Sequence, residues 1–130
     1  KPISIDRKAG RDALNQVIEQ GTQRLRDGHW VVIFPEGTRV APGSRKRYAI
    51  GGATLAVQAA APVVPVAHNA GYFWGRNAFT KRPGLITISF GPMIATANRA
   101  AVEVIQETER WIETEVQRIA TESGCAQTPA

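Results

Sequence analysis

The sequence predicts an α/β domain, with a mainly parallel or mixed sheet flanked by helices and incomplete at the N-terminus. Helical and strand patterns alternate along the 130 residues in the order helix, strand, helix, strand, strand, helix. The first strand, at residues 30–34, is apolar throughout, which is typical of a parallel strand covered on both faces. Three strands make a small sheet, so we expect further strands before Lys1.

The first element is an amphipathic helix, predicted at residues 12–27. Its apolar side chains recur on one face: Leu14, Val17, Ile18 and Leu25. Asp12 is a residue type that can cap the start of a helix. Gly28 suits the position just past the helix end. The segment therefore carries its own start and stop signals.

A strand, a loop and a second helix are predicted next. Residues 30–34 read Trp-Val-Val-Ile-Phe and form the first strand. Residues 35–47 are polar, with two prolines, two glycines and four basic residues, and predict a loop. Residues 50–60 are rich in alanine and predict a helix of small side chains.

Two more strands are predicted on either side of a long loop. Residues 62–67 are apolar, although Pro65 removes one hydrogen-bond donor from that strand. Residues 85–90 favour the third strand. The loop at residues 69–84 mixes aromatic rings with cations: Tyr72, Phe73, Trp74, Arg76, Phe79, Lys81 and Arg82. That mixture suits a membrane interface, or rings packed on the domain's own core; both interpretations stay open.

A long helix at residues 99–121 is predicted to end the domain, with Asn98 as its cap. Its apolar side consists of Val102, Ile105, Ile112, Val116 and Ile119. Residues 1–122 then form one unit, the C-terminal part of a larger domain, and residues 123–130 form a loose tail. The single cysteine, Cys125, cannot form an internal disulfide, which fits a reducing compartment.

The composition favours a folded protein with an anionic partner. Hydrophobic residues make up 43% of the chain, and the 16 basic and 11 acidic residues give a net charge of +5. The charge suits nucleic acid, an acidic membrane surface, a phosphorylated ligand or merely a solvated basic surface. No run of about 18 uncharged apolar residues is present, so we expect no transmembrane helix within this sequence.

The segment 34–39, Phe-Pro-Glu-Gly-Thr-Arg, carries the most chemical information. It follows the first strand, and the carboxyl ends of strands are where ligands bind in open α/β sheets. Gly37 permits a tight turn. Arg39 offers a fork of donors that matches phosphate oxygens, and Glu36 can accept a hydrogen bond from a substrate hydroxyl. Alternatively, the segment is an ordinary Pro-Gly turn that carries a surface Glu–Arg pair.

Two further segments decide between these interpretations. Residues 5–7, Ile-Asp-Arg, precede the turn, and residues 63–66, Val-Val-Pro-Val, follow it. Together with segment 34–39, they resemble the second, third and fourth signature blocks of the glycerophospholipid acyltransferases of the 1-acyl-sn-glycerol-3-phosphate acyltransferase type. The resemblance runs from Ser4 to about Ile94. Gly51 and the small side chains after it resemble the helix that follows the third block.

The resemblance implies an enzyme that moves a fatty acyl group to the free hydroxyl of lysophosphatidic acid. The donor would be acyl-CoA or acyl-carrier protein, and the product phosphatidic acid. By this resemblance Arg7 and Arg39 bind the phosphate, and Glu36 orients the glycerol. Gly37 forms the turn and Thr38 donates a hydroxyl or fills the turn. It also implies location at the cytoplasmic face of an anionic membrane. We expect no nucleic-acid partner, because the basic residues are dispersed and no RNA- or DNA-recognition pattern is present, and we expect no cofactor.

Two departures from the family pattern bear on activity. The first block, His-x-x-x-x-Asp, is missing, because Phe34 stands five positions after His29 and Phe73 stands five positions after His68. We therefore assign no catalytic residue and expect this chain to be inactive alone. Ala49 stands where relatives often carry a lysine. No cluster of cysteine and histidine predicts a metal site. The competing hypothesis is a non-catalytic basic module that binds nucleic acid or anionic membrane.

Overall fold

The computed structural model describes Ile3 and residues 11–125. That part of the chain contains four helices and one small sheet. The elements in order are α1 (Arg11–Arg26), α2 (Gly51–Gln58), β1 (Val66–His68), α3 (Ala70–Phe73), β2 (Ile88–Phe90) and α4 (Ala101–Glu122). The predicted helices at 12–27, 50–60 and 99–121 are confirmed to within a few residues. None of the helices in the described part is both long and apolar enough to cross a bilayer.

Helix α1 ends where its sequence predicts. Gly28 adopts a left-handed backbone (φ +78°). Its N–H donates to the Leu25 carbonyl (3.1 Å), and the His29 N–H donates to the Arg24 carbonyl (2.9 Å). This arrangement satisfies carbonyls that the helix end would otherwise leave unpaired. Asp12, expected as a cap, lies inside the first turn, where its charge still favours the positive end of the helix dipole.

Helices α1 and α2 pack closely because one contact position has no side chain. Gly21 of α1 is buried, and a Cβ atom placed there would lie 2.4 Å from Leu55 Cδ2. Leu55 is itself only 2% exposed, so it has little space into which to move. The absence of a side chain at Gly21 thus makes room for Leu55 of α2. Ala53 of α2, Val104 of α4 and Ile94, which precedes α4, form the core cluster.

The sheet of the described residues is antiparallel. β1 pairs with β2 in the register Val66↔Phe90, Ala67↔Ser89 and His68↔Ile88. An isolated bridge joins Val63 to Ile94 just before β1. Pro65 lies between that bridge and the strand, and its carbonyl accepts from the Gly91 N–H (2.8 Å). Proline is tolerated here because only its carbonyl has to pair. The expected parallel pairing is not found among the described residues.

The strand predicted at residues 30–34 is wrong for this structure. Those residues form no strand, and Trp30 (88%), Val32 (77%) and Phe34 (74%) are largely exposed. A strand exists through hydrogen bonds to a neighbouring strand, and within residues 11–125 none lies beside this segment. Ile33 is the partial exception, since its side chain packs beside Gly52 of α2.

Helix α4 begins two residues later than predicted. Asn98, expected as its cap, has a left-handed backbone (φ +57°) and belongs to the preceding turn. Asparagine tolerates that conformation better than most residues. Ala100 takes the cap position instead, and its N–H donates to the Glu103 carboxylate (3.0 Å). The side chain that caps the helix therefore comes from its first turn.

Candidate functional site

The segment 34–39 forms a tight turn. The Gly37 N–H donates to the Phe34 carbonyl (3.0 Å), and Gly37 has φ +66°. A residue with a Cβ atom would be strained there, so glycine permits the reversal. The Ala49 N–H donates to the Pro35 carbonyl (2.8 Å), which closes the loop that starts at this turn. The turn is thereby held at the start of α2.

Glu36 lies partly buried in this turn and its charge is disfavoured. Burial raises the pKa of the Glu36 carboxyl above its ordinary value, and the negative charge of Glu113 raises it further. Positive charge on His68 and on Lys46 acts in the opposite direction. Charged groups on the loop before α2, at the end of β1 and in the middle of α4 thus act on Glu36.

Tyr48 and Glu113 support the turn from its buried side, and no pattern in the sequence indicates either residue. Tyr48 is 5% exposed, and its hydroxyl donates to Glu113 Oε1 (3.1 Å). Arg45 Nε lies 3.3 Å from Glu113 Oε2. Burial and then the charge of Glu113 raise the pKa of the Tyr48 hydroxyl, so it remains a hydrogen-bond donor. These contacts join the loop before α2 to α4.

Arg39 and Thr38 face solvent at the end of the turn. Within the described residues, Arg39 takes part in none of the ion pairs or side-chain hydrogen bonds. Its guanidinium is therefore available to an anion. Arg7, the second predicted phosphate ligand, lies outside the described residues. Its convergence with Arg39 stays a prediction.

The two histidines have different surroundings. His68 Nδ1 accepts from the Ala70 N–H (3.2 Å), which places the ring at the start of the one-turn helix α3. That bond gives His68 a structural role in the strand-to-helix connection. His29 follows the end of α1 and is exposed. Across the described part of the chain, no group of three His, Cys, Asp or Glu side chains could hold a metal ion.

We expect Glu113→Gln to lower the pKa of Glu36 towards its ordinary value. Glutamine removes the like charge but keeps an oxygen for the Tyr48 hydroxyl. A raised carboxyl pKa means that ionised Glu36 costs stability above that pKa, and that acidification through it relieves the cost. Carboxyl ¹³C titration by NMR measures the shift. Glu122→Gln, at the exposed end of α4, is the control. An unchanged Glu36 pKa in Glu113→Gln contradicts the geometry.

Comparisons with known proteins agree on one family. The acyltransferase family model matches residues 1–69, which is more than half of the chain and includes segment 34–39. A 1-acyl-sn-glycerol-3-phosphate acyltransferase of Pseudomonas aeruginosa is 44% identical over 115 residues, covering 86% of this chain and 45% of that protein. The human 1-acyl-sn-glycerol-3-phosphate acyltransferase beta is 30% identical over 101 residues, covering 77% of this chain and 36% of that protein.

A solved structure supports the fold. The crystal structure of the 1-acyl-sn-glycerophosphate (LPA) acyltransferase PlsC from Thermotoga maritima matches with a TM-score of 0.70 at 23% identity. The match covers 82% of this chain and 44% of that chain. The chain thus spans less than half the length of the relatives it matches. The resemblance inferred from the three sequence blocks is confirmed, and the chain belongs to the acyltransferase family.

Proposed function

We propose that this chain forms the acceptor-binding part of an acyltransferase that acylates lysophosphatidic acid to phosphatidic acid. The observation that carries the proposal is the turn at 34–39. It presents Arg39, which forms no ion pair or side-chain hydrogen bond with the other described residues, to solvent beside the partly buried Glu36. An arginine without a protein partner suits the phosphate of the acceptor. The names of the relatives support the same acceptor.

The reaction requires positioning and proton removal. The free hydroxyl oxygen of the acceptor attacks the thioester carbonyl, the carbon–sulfur bond breaks, and the thiol leaves. The hydroxyl proton passes to a base and then to the departing sulfur. Arg39, with Arg7, fixes the phosphate, and Glu36 orients the glycerol. Thr38 offers a hydroxyl at the same turn. The Gly37 N–H is already bonded to the Phe34 carbonyl, so Gly37 contributes shape.

We do not assign the role of the base to any residue of this chain. The family resemblance places it in the His-x-x-x-x-Asp block, which this sequence does not contain. The chain's own contribution is to hold the acceptor, which can lower a barrier substantially by orientation alone. We further propose acyl-CoA or acyl-carrier protein as donor, and location at the cytoplasmic face of an anionic membrane. Nucleic acid is not proposed as a partner.

An acceptor assay on the complete gene product tests this function. Labelled thioester is supplied with lysophosphatidic acid, glycerol 3-phosphate or a monoacylglycerol, and the lipid products are separated. We expect phosphatidic acid to be the main product. Transfer to none of the three acceptors, combined with strongly salt-dependent DNA binding, would instead support the basic-module hypothesis.

A further inference from the structure

Large apolar side chains lie on the surface in the stretch that follows α3. Trp74 is 55% exposed and Phe79 is completely exposed. Leu85 (78%) and Ile86 (50%) continue the same stretch. The interpretation that these two rings pack on the domain's own core is therefore wrong for the described structure. Exposed rings and aliphatic side chains this close in sequence indicate a contact surface.

A defined loop holds these side chains outward; we call residues 74–82 the aromatic loop. The Arg82 N–H donates to the Phe73 carbonyl (2.9 Å) and closes its base. At its tip, the Ala78 N–H donates to the Gly75 carbonyl (3.3 Å), and Asn77 has φ +57°. The tip is therefore a formed turn, and Phe79 follows it directly.

The base of the aromatic loop is anchored by a buried amide. Asn69 is 1% exposed, and its Oδ1 accepts from the Thr87 N–H (2.9 Å). Its Nδ2 donates to the Leu85 carbonyl (3.3 Å) and to Ser123 Oγ (3.4 Å). A buried amide bonded on both sides fixes the two ends of the loop relative to α4. The exposed rings thus extend from a supported base.

The charged residues that neighbour these rings in the sequence have one sign. No acidic residue occurs between Glu36 and Glu103, whereas eight lysines and arginines do. Three of these cations belong to the aromatic loop: Arg76, Lys81 and Arg82. The Lys81 ammonium lies 4.2 Å from the centre of the Trp74 ring. Aromatic rings beside cations suit the headgroup region of a bilayer that contains anionic lipids.

We propose that the aromatic loop, with Leu85 and Ile86, is a membrane-contact surface that inserts its rings at headgroup depth into an anionic bilayer. The proposal deepens the membrane association proposed above. It does not depend on acyl transfer, so vesicle binding and enzyme activity can fail separately. It names the part of the chain that meets the lipid, on an element distinct from the turn at 34–39.

Vesicle binding of the 130-residue chain tests this surface. Binding is measured by co-sedimentation with vesicles of equal parts phosphatidylglycerol and phosphatidylcholine, and with phosphatidylcholine alone. We expect preference for the anionic vesicles, weakened about tenfold in Trp74→Ala/Phe79→Ala by loss of apolar burial. In a separate variant, Lys81→Gln should weaken binding about fivefold and reduce its salt dependence. Circular dichroism verifies the fold of each variant.

Matched control variants test whether vesicle binding depends on the aromatic loop or on any exposed apolar or basic side chain. Trp30→Ala/Val32→Ala removes apolar side chains that are also largely exposed but lie outside the aromatic loop, and Arg110→Gln removes an exposed cation from α4. We expect both to bind anionic vesicles like the parent chain. Equal losses in the controls and the loop variants would overturn the proposal. The proposal would also be overturned if Arg39→Gln lost vesicle binding while the loop variants kept it. The lipid headgroup would then bind at the turn of residues 34–39.

A depth measurement gives an independent result. With Trp30→Phe and Trp111→Phe introduced, Trp74 is the remaining tryptophan. Phospholipids brominated near the headgroup end of their chains should quench its fluorescence when anionic vesicles are added. Unquenched Trp74 on vesicles that the chain does bind would contradict the proposal, as would absence of binding to anionic vesicles.

Discussion

Expressed alone, the 130-residue chain is expected to acylate lysophosphatidic acid at least about 10²–10⁴ times more slowly than a complete relative, which is the loss expected from removing a general base. We propose that Arg39 and Glu36 hold the acceptor, and we assign the removal of its hydroxyl proton to neither of them. Thioester turnover with purified chain, measured beside the Pseudomonas aeruginosa relative, checks the rate.

His68 is the residue that could invalidate this expectation. It lies near Glu36, although its Nδ1 already accepts from the Ala70 N–H. We expect His68→Ala to leave any residual turnover unchanged. Turnover close to that of the complete relative, abolished by His68→Ala, would show that the chain carries its own base and would refute the assignment of roles.

In the complete gene product, Arg39→Ala is expected to reduce turnover of lysophosphatidic acid about ten- to a hundredfold. Charge-assisted hydrogen bonds contribute about 1.5–3 kcal/mol, and Arg39 is free to donate two in parallel to a phosphate. The loss on a monoacylglycerol, which lacks the phosphate, should be much smaller. Initial rates on the two acceptors, each expressed as a ratio to the parent enzyme, measure this selectivity.

Arg47→Ala is the matched control, because Arg47 is an exposed arginine in the same loop. It should change neither rate appreciably. Thermal unfolding of Arg39→Ala should resemble that of the parent, since an exposed arginine without a partner contributes little to stability. Equal losses on both acceptors would mean that Arg39 acts on the reacting groups or the fold, and would contradict phosphate binding.

Elements that depend on local sequence patterns could be predicted correctly from the sequence. Helix α1 could be predicted with both ends because its apolar face and Gly28 lie within one short segment. The same holds for α4, apart from its cap. The strand at 30–34 failed because apolar composition cannot supply a neighbouring strand. β1 and β2 lie on either side of the aromatic loop in the sequence. Their antiparallel pairing joins distant residues, so no local pattern predicts it.

The candidate site divides in the same way. Glu36 and Arg39 could be found from the motif, because the turn and its residues are contiguous. The Tyr48–Glu113 hydrogen bond could not, since it joins residues 65 positions apart. Glu113 also lies on the polar part of a helix, where charged residues are usually solvated. Burial and then the charge of Glu113, a residue far away in sequence, raise the pKa of Glu36.

Binding of glycerol 3-phosphate to the 130-residue chain, followed by amide NMR, tests the phosphate site without requiring catalysis. We expect saturable shifts of the Gly37, Thr38 and Arg39 amides and of the Arg39 Nε–H, with no comparable shifts on adding glycerol. Arg39→Ala should abolish them. Absence of shifts at this turn, or shifts spread over the aromatic loop and the other exposed arginines, would contradict a phosphate site at residues 36–39.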